Sequence, residues 1–556
     1  MEKPWLSSWP KGVQQSIEYP EISLGEVLRK SATESPDQVA MIYYGTRLTF
    51  KELDGLVDKF ADALQDLGVK KGDRVGIYLP NIPQFVIAYY GALRVGGIVV
   101  ALSPLYKERE IAHILADSGA KVLVAWDNLY HYVQAVKNET ELTTIITTSV
   151  RDYLPPILRL LSPLKGVKSY ACPGAQDMKT LLSKYRGQPR PVEISSKNDV
   201  ALLQYTGGTT GIPKGAMLTH NNLVANAAQV KEWGQLRPGV DVHLSALPFF
   251  HIFGMTTGMN SPIYTRSTMI LIPDARDLSA ILKTIDKDKP TVFCGVPTLY
   301  NGLINRPDIQ KHNLRSVRLC ISGASALPVE VQRKFEALTG GRLVEGYGLT
   351  ETSPVTHCNP VDDPLKNHPG TIGIPVSDTD AKVVDIDSGN RDLPAGEAGE
   401  LIMRGPQVMI GYWNKPEDNK VSLRGGWFYS GDIASMDPDG YFRIVDRKKD
   451  MIDVSGYKVW PREVEERLFE HPAVREAGVV GIPDSRSGEA VKAFVVLKEG
   501  YEGKVTADEI TSFCKEKMAS YKAPKVVEFK GELPKSVVGK VLRRELKTHE
   551  QTPSIE

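Results

Sequence analysis

The chain has 556 residues, which is too long for one ordinary core and predicts two or more domains. Its 68 lysines and arginines balance 67 aspartates and glutamates, so no overall field attracts a nucleic acid. Its five cysteines have neither CxxC nor zinc-ligand spacing, and its N-terminus carries no apolar signal segment. A cytoplasmic protein with no nucleic-acid partner, structural zinc or disulfide framework is expected.

The first predicted elements alternate between helix and strand. Thr49 and Glu52 have the spacing of a capping box, and the apolar residues that follow them repeat on one helical face. A strand over 75–79, a helix over 83–95 and a strand over 98–102 come next. The alternation continues past residue 330 and is typical of sheets covered by helices.

The pattern then changes twice. Short β-rich runs with glycine and proline fill residues 370–445 and predict a small barrel or distorted sheet. In the C-terminal part the pattern predicts a strand, a helix from Pro461, strands over 477–480 and 490–497, and a helix from Ala507. This part is expected to be a separate α+β domain.

A loop rich in glycine and threonine, TGGTTGIPK at 206–214, joins predicted strands at 200–205 and 216–219. Glycines let backbone N–H groups approach phosphate oxygens, while hydroxyls and the Lys214 ammonium add donors, so the loop suits a triphosphate. It lacks the GKS/T ending and the following helix of a Walker loop. It also lacks the GxGxxG pattern of a dinucleotide-binding site. The alternative is a flexible surface loop.

The longer segment TGGTTGIPKGAMLTH resembles the signature of the adenylate-forming superfamily of acyl-CoA synthetases, luciferases and nonribosomal peptide adenylation domains. The resemblance spans about 48–546. The other matching motifs are SGAS (322–325), EGYGLTE (345–351), GELIMRG (399–405), YSGD (429–432), DRKKDMIDVSGYKVWPREVE (446–465) and PKSVVGK (534–540). Gly207 stands where most relatives have serine, a form similar to that of medium- and long-chain fatty acyl-CoA synthetases.

The resemblance implies an α/β fold in three parts. Residues 1–445 would form two α/β subdomains and a small β-barrel that hold the ATP and acyl sites. Residues 446–450 would be a hinge, with Lys449 as the hinge residue. Residues 451–556 would form a small, mobile α+β lid domain that carries the catalytic lysine.

The implied activity is that of an ATP-dependent acid:CoA ligase, which forms acyl-AMP and pyrophosphate and then acyl-CoA and AMP. Adenylation joins a carboxylate to the α-phosphate of ATP, and these two anions repel each other until positive charge offsets them. By resemblance, Lys540 contacts both anions, and Thr350 and Glu351 complete the catalytic set. Taken alone, Lys540 would be a solvated lysine in GKVLRR.

The resemblance also assigns binding residues for ATP, Mg²⁺ and coenzyme A. Thr206 and Glu351 would hold Mg²⁺, an ion that prefers oxygen ligands. Coenzyme A would pass Ser455, Gly456 and Tyr457, which otherwise form a simple turn. The residues assigned to ATP are Thr206, Gly207, Gly208, Thr209, Thr210, Gly211 and Lys214 at the phosphates, Gly323, Ala324, Glu345, Gly346, Tyr347 and Gly348 at the adenine, and Asp432 and Arg447 at the ribose.

The segment PFFHIFGMTTGMN at 248–260 matches the wall of the acyl pocket. It is apolar and dotted with glycine, which suits an aliphatic chain. Relatives that activate amino acids place an aspartate where this chain has Ile252, so a fatty acid is the expected substrate. The residues assigned to the pocket are His251, Gly254, Met255 and Gly258. His251 is a gate of the pocket or an ordinary core histidine.

Two other activities stay open at this point: an aryl- or short hydroxyacid:CoA ligase, and an adenylating module that loads a carrier protein. The expected partners are the small molecules fatty acid, ATP and coenzyme A. A homodimer is a further expectation. Residues 153–164 (YLPPILRLLSPL) are either an interfacial patch at a membrane or a loop packed on the core.

Overall fold

The computed structural model describes residues 3–166, 168–206, 213–455, 457–484, 486–535 and 541–548. The chain forms two compact units. The large unit consists of Ser8–Asp380 and Arg404–Gly426, and the small unit consists of Met1–Ser7, Ala381–Met403 and Trp427–Glu556.

The α-helices of the described residues are, in chain order, α1 (Leu24–Glu34), α2 (Phe50–Asp66), α3 (Pro83–Arg94), α4 (Glu108–Ser118), α5 (Tyr130–Val136), α6 (Pro156–Leu161), α7 (Met178–Lys184), α8 (His220–Trp233), α9 (Ile252–Met255), α10 (Ser261–Tyr264), α11 (Leu278–Asp288), α12 (Pro297–Ile304), α13 (Val329–Thr339), α14 (Pro416–Ser422), α15 (Pro461–Phe469), α16 (Ala507–Lys517) and α17 (Arg543–Thr548).

The strands are β1 (Val39–Tyr43), β2 (Thr46–Thr49), β3 (Arg74–Tyr78), β4 (Ile98–Ala101), β5 (Val122–Trp126), β6 (Thr144–Thr148), β7 (Gln176–Asp177), β8 (Val200–Thr206), β9 (Lys214–Thr219), β10 (Val242–Ser245), β11 (Thr268–Leu271), β12 (Leu319–Ser322), β13 (Arg342–Gly348), β14 (Val355–Cys358), β15 (Ile374–Pro375), β16 (Asp380–Val384), β17 (Ala398–Arg404), β18 (Gly411–Tyr412), β19 (Leu423–Arg424), β20 (Trp427–Met436), β21 (Phe442–Arg447), β22 (Ile452–Val454), β23 (Tyr457–Val459), β24 (Val474–Asp484), β25 (Gly488–Leu497) and β26 (Val526–Phe529).

Helix α2 begins as the sequence predicts. The Thr49 hydroxyl accepts the N–H of Glu52 at 3.2 Å, and the Glu52 carboxylate accepts the N–H of Thr49 at 2.8 Å, which completes the capping box. The apolar face of α2, including Phe60, packs against α3, which is itself buried except at Arg94. Because α3 connects the parallel strands β3 and β4 and contacts both, this helix pair forms a layer beside the central sheet of the large unit.

The central sheet of the large unit has eight strands in the order β18-β9-β8-β4-β3-β5-β6-β7. Strand β8 runs parallel to β4, and β9 then returns antiparallel to β8. The phosphate loop predicted from the sequence therefore starts at the end of one central strand and ends at the start of its neighbour.

A second layer of strands aligns two of the predicted motifs. Val292 bridges β10 to β12, which joins the sheet β10-β11-β1-β2 to the sheet β12-β13-β14-β15. Strands β12 and β13 are parallel, and Ser322 pairs with Glu345. The carboxyl ends of parallel strands meet at one edge of a sheet, so SGAS and EGYGLTE lie side by side.

The small unit contains two sheets. Strands β16, β17 and β20 form a half-barrel sheet in that order, and β20 pairs antiparallel with both β17 and β21. The C-terminal sheet has the order β23-β22-β25-β24, with β26 parallel to β25, and apolar residues of α15 and α16 cover it. Strands β24 and β25 extend beyond the predicted runs because backbone pairing continues through their polar ends to Asp484 and Gly488.

The predicted fold class is confirmed: a large α/β region precedes a half-barrel sheet and a smaller α+β C-terminal part. Across the ranges given above, the structure contains no helix that is both long and apolar enough to cross a bilayer.

Two glycines test the packing of α2 on α3. A Cβ added at Gly91 of α3 would lie 2.6 Å from Phe60 Cδ1, whereas one added at Gly55 of α2 would meet nothing within 4 Å. We expect Gly91→Ala to lower the free energy of unfolding by about 1–3 kcal/mol because of overpacking. Gly55→Ala, the matched control, should raise it by about 0.5–1 kcal/mol through helix propensity. Denaturant unfolding measures both, and equal effects would contradict this packing.

Candidate active site

The base of the phosphate loop is well defined. Thr206 ends β8 and pairs across the hairpin with Lys214, which begins β9. Lys214 Nζ forms an ion pair with Asp418 of α14 and lies 5.6 Å from the centre of the Tyr412 ring. The remaining predicted loop residues, Gly207, Gly208, Thr209, Thr210 and Gly211, lie outside the described residues. The ion pair and the ring together hold Lys214 at the mouth of the hairpin.

Tyr412 connects this lysine to the predicted metal ligand. Its hydroxyl donates a hydrogen bond of 2.7 Å to Glu351 Oε1. Burial, and then the charge of Glu351, raises the pKa of Tyr412 above its ordinary value, so the phenol keeps its proton and remains a donor. Glu351 and Thr350 share one 3₁₀ turn, and the N–H of Met409 donates to the Glu351 carbonyl at 2.8 Å. Glu351 is thus fixed through its side chain by Tyr412 and through its backbone by Met409.

Sequence reasoning missed Tyr412 and Asp418. Tyr412 gives only a weak signal, an aromatic residue between Gly411 and Trp413 in a β-rich run, which ordinarily indicates packing. Asp418 lies on an otherwise polar helix and gives no signal at all. Both are found because the fold brings α14 and β18 against β9.

The residues predicted to contact adenine lie at the ends of two adjacent parallel strands. Gly323 and Ala324 follow β12, and Glu345, Gly346, Tyr347 and Gly348 end β13. Glu345 is buried, and its carboxylate accepts the N–H of Leu327 at 3.0 Å. The Tyr347 ring is half-buried and lies edge-on to His357, with ring centres 5.8 Å apart.

Close packing explains two of these glycines without any ligand. A Cβ at Gly348 would lie 1.9 Å from the Pro354 carbonyl oxygen, and one at Gly323 would lie 2.9 Å from the Phe253 ring. Ala324 has a positive φ of 67°, an uncommon conformation for a residue with a side chain. The turn after β12 is therefore tightly constrained on its inner side, while Ala324 itself is exposed.

The predicted acyl-pocket residues lie on a helical segment that is irregular in its middle. Helix α9 is followed by a π-helical turn, Thr256–Asn260, and then by α10. Such turns occur frequently at functional sites. Met255 is fully buried, and the Gly258 carbonyl accepts the Ser245 hydroxyl at 2.7 Å.

His251 and Gly254 have structural roles in this segment. The His251 ring accepts the N–H of Phe253 through Nδ1 at 3.2 Å and so caps α9. Burial lowers the pKa of His251 to about 4, which leaves the ring neutral at pH 7. A Cβ at Gly254 would lie 2.3 Å from the Pro248 carbonyl oxygen, so this position admits only glycine without movement of the backbone.

The predicted acyl segment contacts both predicted nucleotide motifs of the large unit. The Thr256 hydroxyl donates to the Ser353 carbonyl at 2.6 Å, directly after the turn that carries Glu351. Phe253 packs on Gly323, as its close approach shows. The structure therefore brings together three groups of predicted residues: the acyl wall, the adenine strands and the Thr350–Glu351 turn.

In the small unit, the two predicted ribose contacts are neighbours. Asp432 on β20 pairs in register with Arg447 on β21, and Arg447 Nε lies 3.1 Å from Asp432 Oδ1. Asp432 is only 4% exposed. The arginine orients this carboxylate and compensates part of the cost of burying it.

The predicted hinge residue follows directly. Lys449 lies in the 3₁₀ turn Lys448–Asp450, and burial, with Arg447 contributing, lowers its pKa to about 8. The neighbouring Lys448 is anchored to Glu400 at 2.9 Å.

The predicted coenzyme A residues are described only in part. Ser455 has a positive φ of 55°, and its N–H donates to the Ser487 carbonyl at 2.8 Å. Tyr457 is 60% exposed, and its ring lies 4.8 Å from that of Tyr521. Gly456 and the predicted catalytic Lys540 lie outside the described residues.

Comparison with known proteins extends over both units. Residues 28–413 match the AMP-binding enzyme family, and residues 463–540 match the AMP-binding enzyme C-terminal domain. A long-chain-fatty-acid–CoA ligase of Bacillus subtilis (strain 168) is 45% identical over 559 residues, or 98% of each chain. A protein of the same name from Haemophilus influenzae is 39% identical over 566 residues, or 99% of each chain.

Solved structures agree with the fold. The crystal structure of ATP-bound MatB from Rhodopseudomonas palustris superposes with a TM-score of 0.84 at 27% identity. The match covers 96% of this chain and 99% of that one.

Proposed function

The chain belongs to the family of AMP-binding enzymes, and we propose that it is an ATP-dependent ligase that joins a long-chain fatty acid to coenzyme A. The observation that carries this proposal is the 45% identity over 98% of both chains, because the match includes the acyl segment as well as the nucleotide motifs. The carboxylate attacks the α-phosphate of ATP and releases pyrophosphate. The thiol of coenzyme A then attacks the acyl carbonyl and releases AMP.

The phosphate side of the site is the cluster around Glu351. Thr206 and Lys214 hold the ends of the phosphate loop, and Tyr412 ties Lys214 to Glu351. We assign Lys214 and the loop to the phosphates, and the β12 and β13 ends to the adenine. Asp432, oriented by Arg447, is an acceptor suited to ribose hydroxyls.

The donor set of the same cluster fits Mg²⁺. Thr206 supplies a hydroxyl and Glu351 a carboxylate, which are the hard oxygen ligands that this ion prefers. When bound, Mg²⁺ neutralises phosphate charge as it develops. The hydrogen bond from Tyr412 fixes one oxygen of Glu351, so the carboxylate is oriented before any ion arrives.

Lys540 is the group that we assign to the transition state of adenylation, because a cation there offsets the charge of both reactants. The thiol needs access to the acyl carbonyl once acyl-AMP has formed. We therefore assign Lys449 as the hinge about which the part after residue 450 turns, and Ser455, Gly456 and Tyr457 to coenzyme A.

The acyl segment favours an aliphatic acid. Met255 and Met259 are fully buried, and flexible methionine side chains adapt readily to an apolar ligand. We assign the acyl pocket to this segment, with Gly258 as the more informative glycine, because Gly254 is confined by backbone oxygens. The relatives at 39% and 45% identity are both named long-chain-fatty-acid–CoA ligases, which favours a fatty acid over an aryl acid, a hydroxy acid or a carrier protein.

We also propose a peripheral contact with membranes, the source of the apolar substrate. Ile157, Leu160 and Leu164 are 73%, 79% and 84% exposed and lie along one side of α6 and the turn after it. We call these three residues the apolar ridge. Arg159 is beside them, and no acidic residue occurs between Asp152 and Asp177. Exposed apolar side chains flanked by cations fit an anionic bilayer surface.

The assigned role of Lys540 predicts a split between the two half-reactions. Lys540→Ala should slow pyrophosphate release from palmitate and ATP by about 100-fold or more, because one preorganised charge contact is lost. Transfer from supplied palmitoyl-AMP to coenzyme A should continue. Both steps are measured separately on the purified protein.

The matched control for this test is Lys535→Ala, in the same segment, where the lysine pairs with Glu476 at 2.8 Å. It should leave both half-reactions within about threefold of the parent protein, since exposed ion pairs contribute little. Equal losses of both steps in Lys540→Ala would remove that lysine from the chemistry.

The apolar ridge predicts binding to vesicles. Changing Ile157 and Leu160 together to aspartate should weaken co-sedimentation with phosphatidylcholine–phosphatidylglycerol vesicles by at least about tenfold. Leu365→Asp, at a residue 86% exposed elsewhere on the large unit, is the control and should bind as the parent does. Unchanged binding of the double variant would contradict the proposal. If the ridge instead joins two copies of a homodimer, light scattering will show the double variant at half the parent's mass.

A further inference from the structure

Three acidic side chains of the small unit converge on one guanidinium. Arg543 binds Glu465 in a fork, with Nε at 3.1 Å from Oε1 and Nη2 at 2.7 Å from Oε2. Its Nη1 lies 2.9 Å from Asp446 Oδ1 and 3.2 Å from Asp450 Oδ2. The Arg543 side chain is 18% exposed and that of Asp446 only 2%. This is a partly buried, directional cluster, unlike a solvated surface pair.

The cluster spans the segment assigned as the hinge. Asp446 lies on β21, before Lys449, whereas Asp450 and Glu465 follow it. Burial alone would lower the pKa of Arg543, but Glu465, Asp446 and Asp450 raise it above its ordinary value, so the side chain stays charged. Arg543 therefore contacts residues on both sides of Lys449.

Asp446 is itself held from both sides. Its Oδ1 also accepts the N–H of Arg447 at 2.7 Å, and its Oδ2 accepts the N–H of Arg462 at 2.6 Å. Arg462 is in the first turn of α15, after the hinge. A rotation at Lys449 therefore breaks two contacts of Asp446, those with Arg543 and Arg462. Arg543 and Glu465 both follow the hinge, so the bidentate contact between them is kept during the rotation.

Arg543 begins α17, and the chain on both sides of it is fixed within the C-terminal part. Lys535 and Val541 form an antiparallel bridge, and the N–H of Leu542 donates to the Pro534 carbonyl at 2.8 Å, so the backbone directly before Arg543 is held in place. Leu546 of α17 is buried in the apolar cluster with Phe494. Lys540 precedes Arg543 by three residues, a span of at most about 11 Å. The proposed catalytic residue is therefore a close sequence neighbour of Arg543.

We propose that Arg543 is a positioning residue that couples the two sides of the hinge, and that its contact with Asp446 stabilises one of the two orientations of the part after residue 450. This inference rests on the two-step function proposed above. The fork to Glu465 keeps Arg543 attached to the C-terminal part in either orientation. The contact with Asp446 is made in this orientation and lost in the other, so its strength sets the balance between them.

A purely structural cluster would behave differently. Weakening it would lower both half-reactions together, in proportion to the protein that remains folded. A residue that sets the balance between orientations instead changes the ratio of the two half-reactions, and this ratio does not depend on how much of the sample is active.

The test compares Asp446→Asn and Arg543→Lys in the full-length chain. Adenylation is measured as palmitate-dependent pyrophosphate release, and acyl transfer as palmitoyl-CoA formation from supplied palmitoyl-AMP. We expect the ratio of the two rates in Asp446→Asn to differ from that of the parent protein by at least about fivefold. This factor is at the lower end of the coupling typically found between two conformational states. Arg543→Lys keeps the charge but loses the fork, so it should change the ratio in the same direction by less.

The control is Lys522→Gln, which breaks a 2.7 Å ion pair with Glu463 that lies entirely after the hinge. It should leave the ratio unchanged. An unchanged ratio in Asp446→Asn, whatever the loss of stability in a parallel unfolding measurement, would overturn the inference. A parent protein that performs neither half-reaction would instead contradict the proposed function, so the two failures are distinguishable.

Discussion

Repulsion between two anions is the constraint on which this site depends. A carboxylate must approach the α-phosphate of a polyanion, and at contact distance the unfavourable energy is large unless cations offset it. The chain places its proposed cations in different parts of the sequence. Lys214 is held beside Tyr412 and Asp418 at the phosphate loop, while Lys540, which we assign to adenylation, precedes Arg543 by three residues. Positive charge can therefore be present for one step and withdrawn for the next.

The large unit links the proposed substrate sites through direct contacts. Thr256 of the acyl segment is hydrogen-bonded to Ser353, next to the turn that carries Glu351, and Phe253 packs against Gly323 at the adenine edge. A displacement of the acyl segment would be transmitted to both nucleotide motifs, because packed interiors yield little. An acyl chain bound at the proposed pocket would therefore act on both proposed nucleotide motifs.

Much of the fold could be predicted because its signals are local. The Thr49–Glu52 capping box and the strands on either side of the phosphate loop follow from neighbouring residues. The partners of the site could not be predicted, since Tyr412 and Glu351 are 61 residues apart and Lys214 and Asp418 are 204 apart. Arg543 was part of a basic run in the sequence, and only the fold shows that it meets Asp446 and Glu465. Local patterns specify elements, whereas ion pairs between distant elements need their packing.

The most direct test of the central claim is a panel of acids assayed for CoA-dependent release of AMP, from acetate to palmitate and with cinnamate. If the acyl segment lines an apolar pocket, kcat/KM should rise about threefold to fourfold for each added methylene until the pocket is filled, since burying one CH₂ contributes about 0.8 kcal/mol. Palmitate should then exceed both acetate and cinnamate. A rate that is highest with acetate or cinnamate, or AMP release that does not require coenzyme A, would contradict a long-chain fatty acid:CoA ligase.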